Sequence, residues 1–447
     1  MRTGSWQWFI FISLFFILTC IFKKKGRKVI LFAANVVFLA EFHADLIVLL
    51  FLLGYSYWIA KRIKQISNQW LFFAVFLPYL FGFSLFKFGG WLQPIGYSFY
   101  SFKMMSYLMD CYHQKIKPVS FWDYLLYITF FPIFTAGPIN RAGLFVELLN
   151  KPFKFDYRKA KNGAVLAALG LFEKFVFADY LGIIVARLLN TPDLGGPYLL
   201  CGFVLYSFQI YLNFDSYSNI AIGVAQLFGF EVESNFKTPY LSSNIDEFWR
   251  RWHISLSSWF RDYLYIPLGG NRKGNLRKHF NVLLVFLVSG IWHGSGINFI
   301  LWGLGHGLLQ IVYSLFSPIR VKKGMIQRLL KMGKIVLNFC FVTFLWIFFR
   351  ASTLGEAIHL IQRSLIWQPL DLNIIELTRR EWIWTWIIVG IVIVTDLLRY
   401  RCEAVKWLAN RPWLLRWSLY FLLIVIFLVF GVYGEGFDPG DFIYVQF

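Results

Sequence analysis

Long apolar runs separated by short polar breaks organise nearly the whole chain. They lie at Trp6 to Phe22 and near residues 29–60, 70–87, 91–109, 163–188, 198–229, 280–316, 335–349, 382–398 and 413–432. A membrane-crossing helix needs about 20 predominantly apolar residues, so the longer runs predict two helices each and the chain predicts roughly eleven or twelve crossings. The predicted fold is all-α, a polytopic transmembrane helical bundle with re-entrant and interfacial helices. No repeat, low-complexity tract or soluble domain interrupts the pattern, so residues 1–447 read as a single transmembrane domain. The most polar connection, about 351–381, reads as a linker.

Composition agrees. A chain that is 58% hydrophobic, 21% aromatic and 15% charged, with a mean hydropathy of +0.57, lies outside the range of soluble domains. The net charge of +20 would suit a nucleic-acid partner, but the 44 Lys and Arg gather in short clusters between apolar runs. That is the positive-inside signature of cytoplasmic loops, so the expected partner is membrane lipid and no nucleic acid. The five cysteines, Cys20, Cys111, Cys201, Cys340 and Cys402, have no metal-type spacing and read as inert buried thiols; no metal is expected.

Charge placement also sets topology. Trp6 to Phe22 has no cleavage site and is followed by KKKGRK (23–28), so it reads as a retained helix with its N-terminus outside. Both KKKGRK and KRIK (61–64) are expected in the cytoplasm, so residues 29–60 must go out and back as two short helices or a dipping hairpin in a thinned bilayer. Tyr124 to Ala136 is short, contains Pro132 and has basic clusters on both sides, which predicts a re-entrant segment. The acidic tail GEGFDPGD points to the outer face.

One stretch breaks the apolar pattern: FWRRWHISLSSWFRDYLYIPLGG (248–270). As a lipid-exposed span, Arg250, Arg251, Arg261 and Asp262 would cost about 2.5 to 3.5 kcal/mol each, on the order of 12 together. Its many Trp and Tyr suit a headgroup boundary, so it is expected to form an interfacial or re-entrant helix packed against protein. Anchoring to phospholipid accounts for the arginines but not for His253.

A second histidine, His293, lies deep within VLLVFLVSGIWHGSGINFILWGLGHGLL (282–309). Ionisable groups at membrane depth are costly and are functional candidates by default. Ser289, Gly290, Gly294, Ser295 and Gly296 leave room beside it for a substrate or for another helix. Two readings follow: a neutral imidazole that takes a proton from a hydroxyl and returns it to a leaving group, or a histidine satisfied by close helix packing. No GxSxG, HExxH, Walker or GxGxxG motif accompanies it. His306, thirteen residues on, reads as structural or as a support to the site.

FWRRWHISLSSWFRDYLYIPLGGNRKG, followed by SGIWHG and LWGLGHGLL, closely resembles the membrane-bound O-acyltransferase superfamily, in its bacterial branch of alginate-type polysaccharide O-acetyltransferases. Further matches are PIGYSFYSFKMMSYLMDCY (94–112), FFPIFTAGPINR (130–141), GLFEKFVFADYL (170–181), YSFQIYLNFDSYSNIAIG (206–223), FLWIFFRA (344–351) and the terminal FIYVQF. The resemblance implies a helical bundle with a central tunnel, His293 as the catalytic histidine and His253 as the second polar position of the active centre. It implies acetyl-CoA or another acyl thioester as donor substrate, no bound cofactor, and residence in the bacterial cytoplasmic (inner) membrane. A periplasmic SGNH-type acetyltransferase or a polysaccharide-export complex is the implied partner.

Given such a donor, Arg250, Arg251, Arg272 and Lys273, with Gly269 and Gly270, are candidates to hold its phosphates at the cytoplasmic mouth. One motif departs from the family pattern: relatives read close to YFDFSGYSD where this chain has YLNFDSYSN, so Asn213 replaces the usual Asp and Asp215 falls on the usual Ser. Asn213 and Asp215 are therefore expected to line the tunnel or tie helices together. The alternatives are D-alanyl transfer to teichoic acid and, in a different class, a proton-coupled transporter.

Overall fold

The computed structural model describes residues 3–42, 45–66, 68–88, 94–316, 324–401, 407–408 and 410–433. All regular structure among them is helical, as the apolar pattern predicts. Four helices are long and apolar enough to cross a membrane: Leu46–Gln65, Met325–Arg350, Arg379–Leu398 and Trp413–Phe430, with shorter apolar stretches at Trp6–Phe22 and Leu71–Phe86. The remaining apolar runs also form helices, of more varied length. The 198–229 run, expected to hold two helices, is one continuous 32-residue helix, Gly196–Leu227. It contains no proline after Pro197, so nothing stops it, and at about 1.5 Å per residue it is longer than a bilayer core is thick. The chain forms two compact units, Met1–Leu171 with Tyr217–Ser234, and Phe172–Ser216 with Asn235–Phe437.

In the first unit, the expected break at KKKGRK is absent. Trp6–Leu39 is a single 34-residue helix that turns only at Ala40–Phe42, before Asp45–Arg62 returns. Arg27 is buried and supplies the reason. Its guanidinium donates to the carbonyls of Leu148 (2.8 Å), Lys151 (3.2 Å) and Phe228 (2.8 Å) and stacks 4.5 Å over Phe230. This basic residue thus satisfies carbonyls at helix ends instead of entering water. The predicted re-entrant segment is the nine-residue helix Phe121–Thr129 followed by a 3₁₀ turn at Phe131–Ile133, about 13 Å of helix and far short of a span.

In the second unit, the stretch 248–270 is two seven-residue helices, Ile245–Arg251 and Ile254–Phe260, and a wide turn at Arg261–Tyr265, instead of one interfacial helix. The region read as a linker carries the helix Leu354–Ser364, started by Thr353, whose hydroxyl accepts from the Glu356 amide at 3.1 Å. Among the described cysteines only Cys111 is buried; Cys20 and Cys201 are half-buried, and Cys340 is exposed on its apolar helix. Hydropathy cannot distinguish a lipid-facing thiol from a core one. Cys402, the GEGFDPGD tail and FIYVQF lie outside the described residues.

Candidate functional site

All the candidate residues belong to the second unit, and its frame is a helical hairpin. Gly274–His293 ends at His293, turns through Gly294-Ser295-Gly296, and returns as Ile297–Leu315. Glycine lets the two backbones touch: a Cβ on Gly290 would run into the Phe299 carbonyl, and one on Gly303 into the Phe286 carbonyl. Asn298 then ties the hairpin to the end of Met325–Arg350, its Nδ2 donating to the carbonyls of Phe348 (3.1 Å) and Ala351 (2.8 Å). These constraints press His293 among Trp292, Trp302 and Phe349, at ring-centroid distances of 4.5, 4.9 and 5.2 Å.

His253 sits where the two short helices break. Its φ of 43° and ψ of 55° place it in the left-handed region, uncommon for a residue with a side chain. Hydrogen bonds on both sides hold the kink: Ile254 N to Asn235 O (2.9 Å), Ser255 N to Asn235 Oδ1 (3.2 Å) and Lys237 N to Arg251 O (3.0 Å). The helix before it is capped by Asn244, which accepts from Glu247 N at 2.8 Å, while Glu247 accepts from Ser243 N at 2.8 Å. His253 packs 6.2 Å from Phe236, and its neighbour Trp252 opens a chain of indoles, Trp252 to Trp346 at 5.0 Å and Trp346 to Trp302 at 5.8 Å, which reaches His293. The two imidazoles thus border one aromatic cluster. His306 is wholly buried in the same cluster, edge-on to Trp249 and Trp302 at 5.0 and 5.1 Å.

Beside this cluster lies a cavity of about 540 Å³. One wall is a stripe at helical spacing, Lys278, Val282, Val285 and Ser289, whose next position is His293. Ile254, Trp249 and Phe286 add apolar wall, and exposed Arg250 and Arg261 with half-buried Lys278 and His279 make a basic rim. Neither His253 nor His293 is part of the wall; Ile254 and Ser289 are their nearest counterparts along the chain.

The candidate donor residues divide. Arg250 lines the cavity, whereas Arg251 is held by Glu247 (2.6 Å) and by the Thr238 hydroxyl (3.3 Å). Gly269 and Gly270 adopt φ of 103° and 55°, and the turn is pinned by Asn281, whose Nδ2 donates to Gly270 O at 2.9 Å. Arg272 and Lys273 stand exposed on that turn. Asn213 accepts from Lys174 at 2.9 Å, and Lys174 also pairs with Asp179 in a buried trio; Asp215 is buried nearby on the same helix. Lys278 and His279 were not singled out from the sequence, and Ser289 was read only as leaving room beside His293. The i, i+4, i+7, i+11 spacing from Lys278 to Ser289 was the available signal, hidden because valines separate the two polar residues.

Comparison with known proteins agrees with this architecture. Residues 7–354 match the membrane-bound O-acyltransferase family. The chain is 33% identical over 375 residues to a probable alginate O-acetylase AlgI of Pseudomonas fluorescens, covering 78% of this chain and 72% of that protein. It is 34% identical over 304 residues to a peptidoglycan O-acetyltransferase of Helicobacter pylori, covering 61% and 56%. It is 31% identical over 265 residues to a teichoic acid D-alanyltransferase of Bacillus subtilis, covering 56% and 67%. A helical chain with this apolar framework and this match over most of its length belongs to the membrane-bound O-acyltransferase family and is an O-acyltransferase.

Proposed function

We propose that this chain carries acetyl groups from a cytoplasmic thioester, acetyl-CoA or a carrier-bound equivalent, across the bacterial cytoplasmic membrane toward hydroxyls of an exopolysaccharide or cell-wall glycan. The observation that carries this reading is the cavity, with a basic rim for phosphates and an apolar wall that climbs to Ser289, one turn from His293. Two relatives named for acetylating alginate and peptidoglycan support a glycan acceptor. The basic rim faces the cytoplasm by the positive-inside rule, so the donor enters there.

In the mechanism, His293 accepts the proton of the acceptor hydroxyl as its oxygen attacks the thioester carbonyl carbon. The C–O bond forms, the C–S bond breaks, and the imidazolium returns its proton to the departing sulfur. His253, across the aromatic cluster, orients the reacting groups. Base catalysis of this kind contributes about 10²- to 10⁴-fold, and positioning supplies much of the rest. A periplasmic SGNH-type acetyltransferase or a polysaccharide-export complex would then receive the acetyl group.

The test is labelled acetyl-CoA with purified protein in lipid: label should appear in glycan or partner, and His293→Ala should abolish transfer without loss of folded protein. Retained transfer by that variant refutes the assignment. Transfer of D-alanine but not acetate would favour the teichoic acid reading, and ion flux without label transfer would favour a transporter.

A further inference from the structure

Several helical serines turn their hydroxyl onto their own helix: Ser56 donates to Leu52 O (2.7 Å), Ser207 to Phe203 O (3.0 Å), Ser106 to Lys103 O (2.9 Å) and Ser314 to Ile311 O (2.7 Å). That is how a hydroxyl is satisfied in apolar surroundings. Ser101 and Ser218 are buried without a partner, but neither lines the cavity, as Ser289 does. Among the described residues, Ser289 makes no such bond, although it is only 5% exposed and forms part of the cavity wall. A polar group kept without a partner at such a site is a place for a ligand atom to bind.

Its position says which atom. Ser289 and His293 are four residues apart on one helix, so they share a face at roughly 6 Å separation. Val282 and Val285 lead to Ser289 along the same wall and offer a ligand no hydrogen bond from their side chains. We propose that the Ser289 hydroxyl donates a hydrogen bond to the acyl carbonyl oxygen of the thioester donor, so that the carbonyl carbon is presented to the acceptor hydroxyl beside His293. This inference rests on the donor reading of the cavity. As the acceptor oxygen adds, the carbonyl oxygen becomes an oxyanion and the Ser289 bond strengthens. As the C–S bond breaks, the carbonyl re-forms and the proton travels through His293 to sulfur. Ser289 keeps its own proton throughout.

The test compares two ligands that differ only at the atom in question: acetyl-CoA and its S-ethyl thioether, in which a methylene replaces the carbonyl. Binding is measured to purified full-length protein carrying His293→Ala, which prevents turnover and needs no acceptor. The parent should bind the thioester about fivefold more tightly than the thioether, a typical net hydrogen bond. Adding Ser289→Ala should erase that preference, and Ser289→Thr should keep it. In otherwise unmodified protein, Ser289→Ala should lower kcat about 10²-fold, as loss of one oxyanion donor does. A preference that survives Ser289→Ala overturns the proposal, as do equal losses for both ligands, which would indicate packing. Failure of either ligand to bind the parent, or retained transfer by His293→Ala, would remove the donor reading itself.

Discussion

Gly303→Ala tests how tightly the hairpin sets the site. Gly303 faces the Phe286 carbonyl across the crossing of Gly274–His293 and Ile297–Leu315, and an added Cβ would meet that oxygen well inside van der Waals contact. The obstacle is backbone, so no side-chain rotation relieves it; the helices must separate by roughly 1 Å, an overpacking cost of about 1 to 3 kcal/mol. Trp302, next to Gly303, packs on His293 at 4.9 Å, so the same displacement moves the wall behind the imidazole. A misplacement of about 1 Å at a reacting centre can cost about 10²-fold in rate. Gly303→Ala should therefore unfold at lower temperature and transfer acetyl about 100-fold more slowly. Gly305→Ala meets only the end of the flexible Leu345 side chain, and Gly390→Ala enters open space, so both should stay near wild type. Thermal unfolding in detergent and acetyl transfer in lipid read the two effects. A Gly303→Ala protein with a wild-type unfolding curve and turnover within about threefold would refute the reasoning.

Neighbouring arginines should behave differently. Arg250→Glu, at the cavity rim, should raise the donor's apparent KM about tenfold with normal protein yield, by replacing attraction with repulsion; an unchanged KM would remove the rim from donor binding. Arg251→Glu meets Glu247 instead, so it should lower the yield of folded protein, measured by size-exclusion chromatography. Lys174→Met leaves Asp179 and Asn213 buried without their shared cation and should destabilise by about 3 to 5 kcal/mol, seen as lost folded protein. Replacing Lys174 and Asp179 together by Met and Leu should recover much of that loss, and no recovery would argue against the pair.

Residue content alone was enough for the class. Apolar runs and basic clusters specify a helical membrane protein because burial in lipid demands internally satisfied backbone and lets charge remain only at the edges. The same argument located 248–270 as unable to lie in lipid and marked His293 as out of place at depth. Cavity-facing residues were less legible. Lys278 looks like part of an ordinary helix face, and Ser289 like a mere gap beside His293, until the partner helix and the two short helices close around them.

What the chain determined by itself was its solvent, its helical character and the two unusual imidazoles, since those follow from transfer energies that each residue carries wherever it sits. Tertiary structure decided where helices stop and which cations are available. Arg27 carries a helix through KKKGRK by finding three carbonyls from other segments, Arg251 is occupied by Glu247, and Arg250, one residue earlier, reaches the cavity. The physical reason is that a charge is costly in a membrane only until it meets a partner, and partners distant in sequence are assigned by packing.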